Sequence, residues 1–442
     1  MKLWYMRRGK MEFDVVIIGN SAAAIGCIEA IRSRDRELSI AVVSEEKYHT
    51  YSRALIPYYL AGKIDLEKIY YRPSDFYERM GVTPLLGERA VSIDFERKIV
   101  RLESGREVLY DKLLIATGGK PFIPPMEGFD RNLRNAFSFV TLDDALGIEE
   151  MLPETKKVVI LGAGVIGLMA AEVLSEKGLE VHVIELVTRV LAPVVDEKTS
   201  QIVQNLFEDR GVKIHTGLTI RKINSKDGLV RSVVLTDGSE LECDLLIVAV
   251  GVIPRTELVE GTAVKVNRGI LVNRKMETSV RDVYAAGDCA EIYDFLIDDR
   301  RVIPLWPNAY LGGRIAAINM LGEEAEFEAT SMNAMHFFDL YIINAGLNIT
   351  DEIAEREGYE ILMKYDPERM VYRRLAIKNG LIKGLIFVGR VERAGIYLNL
   401  MRKKIVIDEF KNRLLDYDFG YSKLPESIRW DLLKDEVILG VI

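Results

Sequence analysis

The residues best placed to do chemistry are glycines and acids at the ends of apolar runs. Residues 157–185 read KVVILGAGVIGLMAAEVLSEKGLEVHVIE. Gly162, Gly164 and Gly167 make G-x-G-x-x-G between an apolar run and an amphipathic stretch, and a second apolar run ends at Glu185. Gly162 permits a tight turn, and Gly164 lets a pyrophosphate reach backbone N–H groups where a helix starts, with Val165 and Ile166 in its first turn. Gly167 brings helix and strand together. Glu185 can accept from ribose hydroxyls and repels a 2′-phosphate, although Arg189 leaves some room for one. With strand, helix, second strand and terminal acid in register, the stretch predicts a dinucleotide site.

A second such turn follows the apolar run 13–18, in altered form: Gly19, then Asn20, Ser21, Ala22, Ala23 and Ala24. Ser21 and Ala24 stand where glycines would be, and both are small enough for close backbone approach. The strand IAVVS then delivers Glu45 and Glu46, of which Glu45 is the expected ribose acceptor. VYAAGDCA, 283–290, brings Gly287 and Asp288 to the end of a short strand. There an acid can bond a hydroxylated chain, and a helix expected after it can receive a phosphate. The aromatic loop 48–62, YHTYSRALIPYYLAG, offers Arg53 and Tyr58 toward a flat ring. LLIATGGKP ends a strand at Ala116, Thr117 and Gly118, and Gly251 and Pro254 echo that crossing. The loop 303–314 contributes Trp306, Asn308 and Ala309, ahead of a helix.

The elements that must hold these residues read as alternating strands and helices. Strands are expected over 89–103 and 106–116, an exposed segment near 140–154, a helix over 196–210, and strands over 212–215 and 219–224. A hairpin turns at Asp237–Gly238 and a buried strand covers 245–250. Two strands flank Lys378–Asn379–Gly380, two short helices close the chain, and the apolar, Met-rich stretch 331–347 is assigned to core or dimer packing. Residues 1–11 form a basic tail or a start upstream of Met11.

At 442 residues, 49% hydrophobic and 29% charged, two or three folded domains are expected. A net charge of −8 gives no reason to expect nucleic acid, and no apolar run is long enough for membrane insertion. Three separated cysteines without CxxC and four scattered histidines support neither a disulfide framework nor a metal site, and suggest a cytoplasmic protein.

Together IIGNSAA, YSRALIPYYLAG, LLIATGGKP, ILGAGVIG, VGVIPRTEL, VYAAGDCAE and PLWPNAYLGGR resemble the flavin-dependent pyridine nucleotide oxidoreductases of the glutathione reductase superfamily. Within it, the chain is most similar to NADH oxidases, rubredoxin reductases and the flavin part of nitrite reductases. The resemblance implies an α/β protein of two Rossmann-like domains, the NAD domain (121–244) inserted in the FAD domain (12–120 and 245–325). A C-terminal α+β dimerisation domain (326–442) follows. FAD would take Gly19, Ser21, Ala22, Ala23, Glu45, Arg53, Ala90, Ala116, Thr117, Gly118, Gly251, Gly287, Asp288, Trp306 and Ala309. NAD(H) would take Gly162, Gly164, Val165, Ile166, Gly167 and Glu185.

Departures from the family pattern also inform. Ala54 stands where disulfide-reducing members carry a redox cysteine, and Met169 stands where a glutamate is frequent, with Glu172 almost a turn on. Arg53, Tyr58, Met169 and Glu172 are the candidates to act near the reacting rings. The expected activity is hydride uptake from NADH by FAD, then transfer to a rubredoxin- or ferredoxin-like protein or to oxygen, in a homodimer. The alternatives are a CoA-disulfide or polysulfide reductase lacking the usual cysteine, and a flavin-bearing subunit of a larger metalloenzyme complex.

Overall fold

The structure, a computed structural model, describes residues 11–430 and 432. The basic tail therefore lies outside the described residues up to Met11, as does the end of the chain. The chain divides into two compact units. One runs to Ile123, resumes for Val140–Leu146, and takes Gly251–Ala329. The other holds Pro124–Phe139, Gly147–Val250 and the chain from Thr330 on.

In the first unit an apolar run forms β1 (Met11–Ile18), whose last residues are all buried, and helix α1 (Ala22–Arg32) returns the chain to β2 (Ile40–Ser44). β3 (Val82–Leu86), β4 (Ala90–Asp94), β5 (Ile99–Leu102) and β6 (Glu107–Ile115) complete the row β3-β2-β1-β6-β5-β4. The alternating stretch 89–103 is thus two strands, reversed at a turn where Lys98 has φ +52°. β2 and β6 flank β1 in parallel, so the sheet has its topological switch at the carboxyl ends of β1 and β6, where ligands of open α/β sheets bind.

The second unit repeats this plan. β7 (Lys157–Leu161), helix α2 (Val165–Glu176) and β8 (Glu180–Glu185) lead through α3 (Glu197–Glu208) to β9 (Lys213–Thr216). β10 (Leu245–Val248) pairs in parallel with β7 and, on its other side, with Ala136–Phe137. The buried strand expected at 245–250 therefore belongs to this sheet, and the chain leaves it only after Val248. Asp237–Gly238 makes the expected turn between Leu229–Leu235 and Glu240–Glu242. The segment expected to be exposed is the helix Leu142–Met151, which buries Leu142, Ala145 and Ile148 on one side.

Back in the first unit, β11 (Val283–Ala285) lies parallel to the end of β6. Helix α4 (Trp306–Met320) starts at Trp306, so Trp306, Asn308 and Ala309 sit in its first turn and not in a loop. Proline in that first turn suits a helix start, because its missing N–H would have no partner there. α4 packs very close to α1: a Cβ on Gly26 would stand 2.1 Å from the Tyr310 carbonyl oxygen, and one on Gly313 1.9 Å from that of Ala23.

The chain from Thr330 forms an antiparallel sheet of β12 (Met332–Phe337), β13 (Leu340–Gly346), β14 (Glu360–Asp366), β15 (Val371–Lys378) and β16 (Leu381–Val388). Its order is β12-β13-β16-β15-β14. Asn379 (φ +54°) and Gly380 (φ +69°) make the β15–β16 turn, the left-handed pair that a two-residue hairpin needs. Helix α5 (Ala394–Arg402) follows, with Tyr397 edge-on against Phe387 at 4.9 Å. Two Rossmann-like α/β sheets and a separate α+β sheet are thus the architecture. No helix among the described residues is long and apolar enough to cross a membrane.

Candidate functional site

The first glycine turn is built by close approach. Gly19 has φ +120°, and a Cβ there would stand 2.0 Å from the Ala116 carbonyl oxygen at the end of β6, so only glycine passes. Ser21 is the extended N-cap of α1, and its side chain makes no capping bond. Ala22, Ala23 and Ala24 are buried behind it. Gly287 (φ +83°) completes the cradle: a Cβ would come within 3.5 Å of the Ala23 Cβ and 3.6 Å of the Ala309 Cβ. Gly19, Ser21, Ala23, Ala116, Gly287 and Ala309 are thus brought together. Thr117 donates to the Arg255 carbonyl at 2.8 Å, and Gly118 takes φ +71°.

Asp288 follows, its carboxyl pushed up to about 6 by burial against the opposing pull of the Arg53 charge. No helix starts behind it. The chain runs into the strand Ala290–Asp294, because the alternating residues there pair with Asp299–Val302, so no helix N-terminus supports a phosphate at Asp288. Arg53 donates to the Tyr51 hydroxyl at 2.8 Å and the Val140 carbonyl at 2.9 Å, and pairs with Glu46. Tyr51 in turn donates to Glu46 at 2.6 Å.

Glu45 lies further out, exposed, paired with Arg255 and 3.9 Å from Arg89, the residue before Ala90. Tyr58 is half-buried, and Trp306 stands edge-on to Tyr71 at 5.0 Å. Gly251 has φ +108° and accepts from the Phe122 N–H at 3.0 Å. Sequence reading missed Asn20, which accepts from the Tyr77 hydroxyl at 2.7 Å and donates to the Tyr48 carbonyl at 3.3 Å. Its signal was available, a polar residue inside a turn otherwise made of small ones. Buried polar atoms of this unit without a hydrogen-bond partner include His49 Nε2, Thr50 Oγ1, Arg255 Nε and Asn308 Nδ2. Such atoms call for a polar ligand.

The second turn is tighter. Gly162 (φ +108°) would put a Cβ 2.4 Å from the Ala249 carbonyl oxygen, and Gly167 would put one 2.0 Å from that of Gly162. Gly164, the N-cap of α2, opens onto free space, which leaves room for a phosphate. Val165 and Ile166 form the first turn, with Ile166 exposed. Glu185 accepts from the Ala163 N–H at 2.7 Å and the Val187 N–H at 3.1 Å, so the acid also braces the turn.

Arg189 is differently placed from what its sequence position suggests. It donates to the Val195 and Ala192 carbonyls at 2.7 and 3.1 Å and to Ser200 at 2.9 Å. Its guanidinium is committed to its own loop and to Ser200 of α3, and the residues left exposed after Glu185 are Leu186, Val187 and Thr188. Met169 is half-buried. Glu172 is buried and accepts from the Phe338 N–H at 2.7 Å, which ties α2 to the β12–β13 turn.

The family model for pyridine nucleotide-disulphide oxidoreductases matches residues 13–313, both glycine turns included. The chain belongs to this family. It is 30% identical over 419 residues to the epsilon subunit of NADH-dependent phenylglyoxylate dehydrogenase from Aromatoleum evansii, covering 94% of this chain and 97% of that one. It is 34% identical over 342 residues to an NADH oxidase from Methanocaldococcus jannaschii, 75% of each chain. The large subunit of NADH-dependent nitrite reductase from Escherichia coli (strain K12) is 30% identical, and this chain spans 51% of it. Among solved structures, a covalent putidaredoxin reductase–putidaredoxin complex matches with TM-score 0.81 at 27% identity, over 88% of this chain and 93% of that one.

As a member of this family, the chain is an FAD-dependent NADH oxidoreductase. The glycine cradle at Gly19 and the unpartnered polar atoms around it suit FAD, and the turn at Gly162 suits NAD(H). FAD, when bound, supplies a ring that accepts the hydride of NADH. The chain's own share is to bind, orient and shield.

Proposed function

We propose that this chain takes hydride from NADH in preference to NADPH and passes the electrons to a small iron–sulfur or rubredoxin-like protein, working as a cytoplasmic homodimer. The absence of a usable thiol carries this reading. Ala54 is exposed where a redox cysteine would stand, and Cys27, Cys243 and Cys289 are all buried. Burial pushes the thiols of Cys27 and Cys243 up to about 12 and raises that of Cys289, so none is poised as a thiolate. A disulfide relay has no sulfur to run through. The site residues assigned above to FAD and NAD(H) belong to the same proposal.

The test is anaerobic mixing of the NADH-reduced protein with rubredoxin, with a ferredoxin and with CoA disulfide, following flavin reoxidation. Reoxidation by a redox protein and not by CoA disulfide is expected. Turnover with CoA disulfide alone would overturn the proposal.

A second reading is favoured by the near full-length match to a subunit of a larger dehydrogenase. On that reading the chain is the NADH-facing subunit of a metalloenzyme complex. Purification of the natural protein with stoichiometric metalloprotein chains, and little turnover alone, would select it.

A further inference from the structure

On β15, Tyr372, Arg373 and Arg374 are all buried, and alternate residues of a strand face opposite ways. Tyr372 and Arg374 serve one face. The Tyr372 hydroxyl donates to Asp196 at 2.6 Å, while Arg374 lies 3.6 Å from Asp196 and donates to Asp351 at 2.7 Å and to the Ile349 carbonyl at 3.0 Å. That arginine is satisfied by carboxylates.

Arg373, 2% exposed on the opposite face, is not. It donates to the Asp416 carbonyl at 2.8 Å and lies over the Phe387 ring at 4.8 Å, and among the described residues no carboxylate pairs with it. Its Nε is buried without a partner. Beside it stand two further cations. Lys364, opposite Arg373 in the β14–β15 pairing, has no acid partner among the described residues. Arg390 is half exposed, with the exposed Glu392 at 3.8 Å.

All three cations gather on one ring. Lys364 Nζ is 4.3 Å from the centre of Tyr417, and the guanidinium carbons of Arg373 and Arg390 are 5.2 and 5.4 Å from it. The Tyr417 hydroxyl is also buried without a partner. Burial lowers Arg373 from its ordinary value, and the nearby Arg390 charge adds to that, against the opposing pull of Tyr397, Tyr417 and Glu392. Like charges and two orphaned donors held this close, at a cost, call for an anion.

We propose that Lys364, Arg373, Arg390 and the Tyr417 hydroxyl form a binding site for a phosphate-class oxyanion, separate from the phosphate-binding glycine turns. Planar guanidinium groups and a hydroxyl suit an acceptor with several oxygens better than a single halide. The ligand is a free phosphate or the phosphoryl group of a small metabolite.

The test is thermal melting of the full-length protein loaded with FAD and saturated with NAD+, so that the glycine turns are already filled. Inorganic phosphate is compared with chloride and acetate at equal ionic strength. At ten times its Kd, phosphate should raise Tm by about 1–3 °C more than either control. Arg390→Gln, at an exposed position, should weaken that response at least about fivefold. Tyr417→Phe should melt no lower than the natural protein in chloride, because it removes an unsatisfied hydroxyl, yet respond less to phosphate. Binding of a labelled phosphorylated metabolite pool, displaced by inorganic phosphate, would assign the larger ligand. An equal response to acetate or chloride, or an undiminished response in both variants, would overturn the proposal.

Discussion

At Gly19 and Gly162 the chain makes the same move. Each glycine follows a buried parallel strand, takes a positive φ (+120° and +108°) and passes close to a carbonyl at the end of the neighbouring strand, Ala116 or Ala249. Each N–H donates back across the sheet, Gly19 to Val43 at 2.8 Å and Gly162 to Ile184 at 2.7 Å. Beyond that residue the two turns part. In the second, Gly167 lets α2 press on its own turn, and Glu185 braces Ala163 from the end of β8. In the first, Ala24 replaces that glycine, and the close approach moves to Gly26 and Gly313, between α1 and α4. Asn20, standing where Ala163 does, is held by Tyr77 and Tyr48 instead of by an acid. One turn is tightened from within its own strand–helix–strand unit, the other by later parts of the chain.

If both first glycines are needed for backbone passage, replacing them should separate the two cofactors. Gly162→Ala adds a Cβ 2.4 Å from a backbone oxygen at a φ that alanine avoids. It should leave the protein yellow yet cut the rate of flavin bleaching by NADH at least about 100-fold at low NADH, from strain of about 3 kcal/mol. Gly19→Ala should do the reverse and give protein without FAD. Flavin absorbance and anaerobic bleaching check both. A yellow, fully reducible Gly162→Ala would break the parallel.

Glu185 tests the second difference. Glu185→Gln keeps an acceptor but loses the charge that serves Ala163 and Val187. An expected rise of about 10-fold in KM for NADH, with kcat little changed and discrimination against NADPH reduced, corresponds to about 1.4 kcal/mol. Steady-state kinetics with both nucleotides measure it. In the first unit Ser44 holds the level of Glu185, because Val43 and Ile184 receive the two glycine N–H groups, and Glu45 lies one residue beyond. Glu45→Gln should therefore cost less FAD affinity than Glu185→Gln costs NADH affinity.

That offset shows which parts of the molecule could be read from the chain. Glycine spacing, the apolar strands and the Asn379–Gly380 hairpin are local, and each is written where it acts. The level of Glu45 is not local, since it depends on which residue of β2 pairs with β1. Membership of β10 in the second sheet is likewise a matter of pairing, because a fully buried strand carries no mark of its neighbours. Two misreadings had local signals that went unused. Leu142, Ala145 and Ile148 recur at helical spacing, and Pro307 marks the start of α4. Arg189 and Glu172 illustrate a further limit, for their partners include backbone groups that sequence does not display.

The first unit has a half-buried acid with a raised pKa in Asp288, and its titration should separate the units by pH. Burial raises its folded pKa to about 6 from an ordinary 3.8. A raised carboxyl contributes stability that is complete below about pH 4 and is lost as pH rises through about 6. In FAD-free protein, Asp288→Asn should abolish that dependence, a difference of at most about 3 kcal/mol between pH 4 and pH 7. Urea melts of both proteins at the two pH values measure it. A difference that does not change with pH would remove Asp288 as its source.

The smallest effect is expected where the first turn looks most altered. Ser21 occupies the place of Gly164, with extended backbone at the N-cap and a side chain that makes no capping bond. A Cβ on Gly164 would meet nothing within 4 Å, so a small side chain at this place in the turn obstructs no protein group. Ser21→Gly then exchanges an unused hydroxyl for backbone freedom, worth a few tenths of a kcal/mol in either direction, or roughly twofold in FAD affinity. Ser21→Val should be far worse, because a branched side chain would fill the space that the phosphate needs. If Ser21→Gly instead lost FAD about 10-fold or more, the hydroxyl would be a direct ligand, and the first turn would be a specialised site of its own.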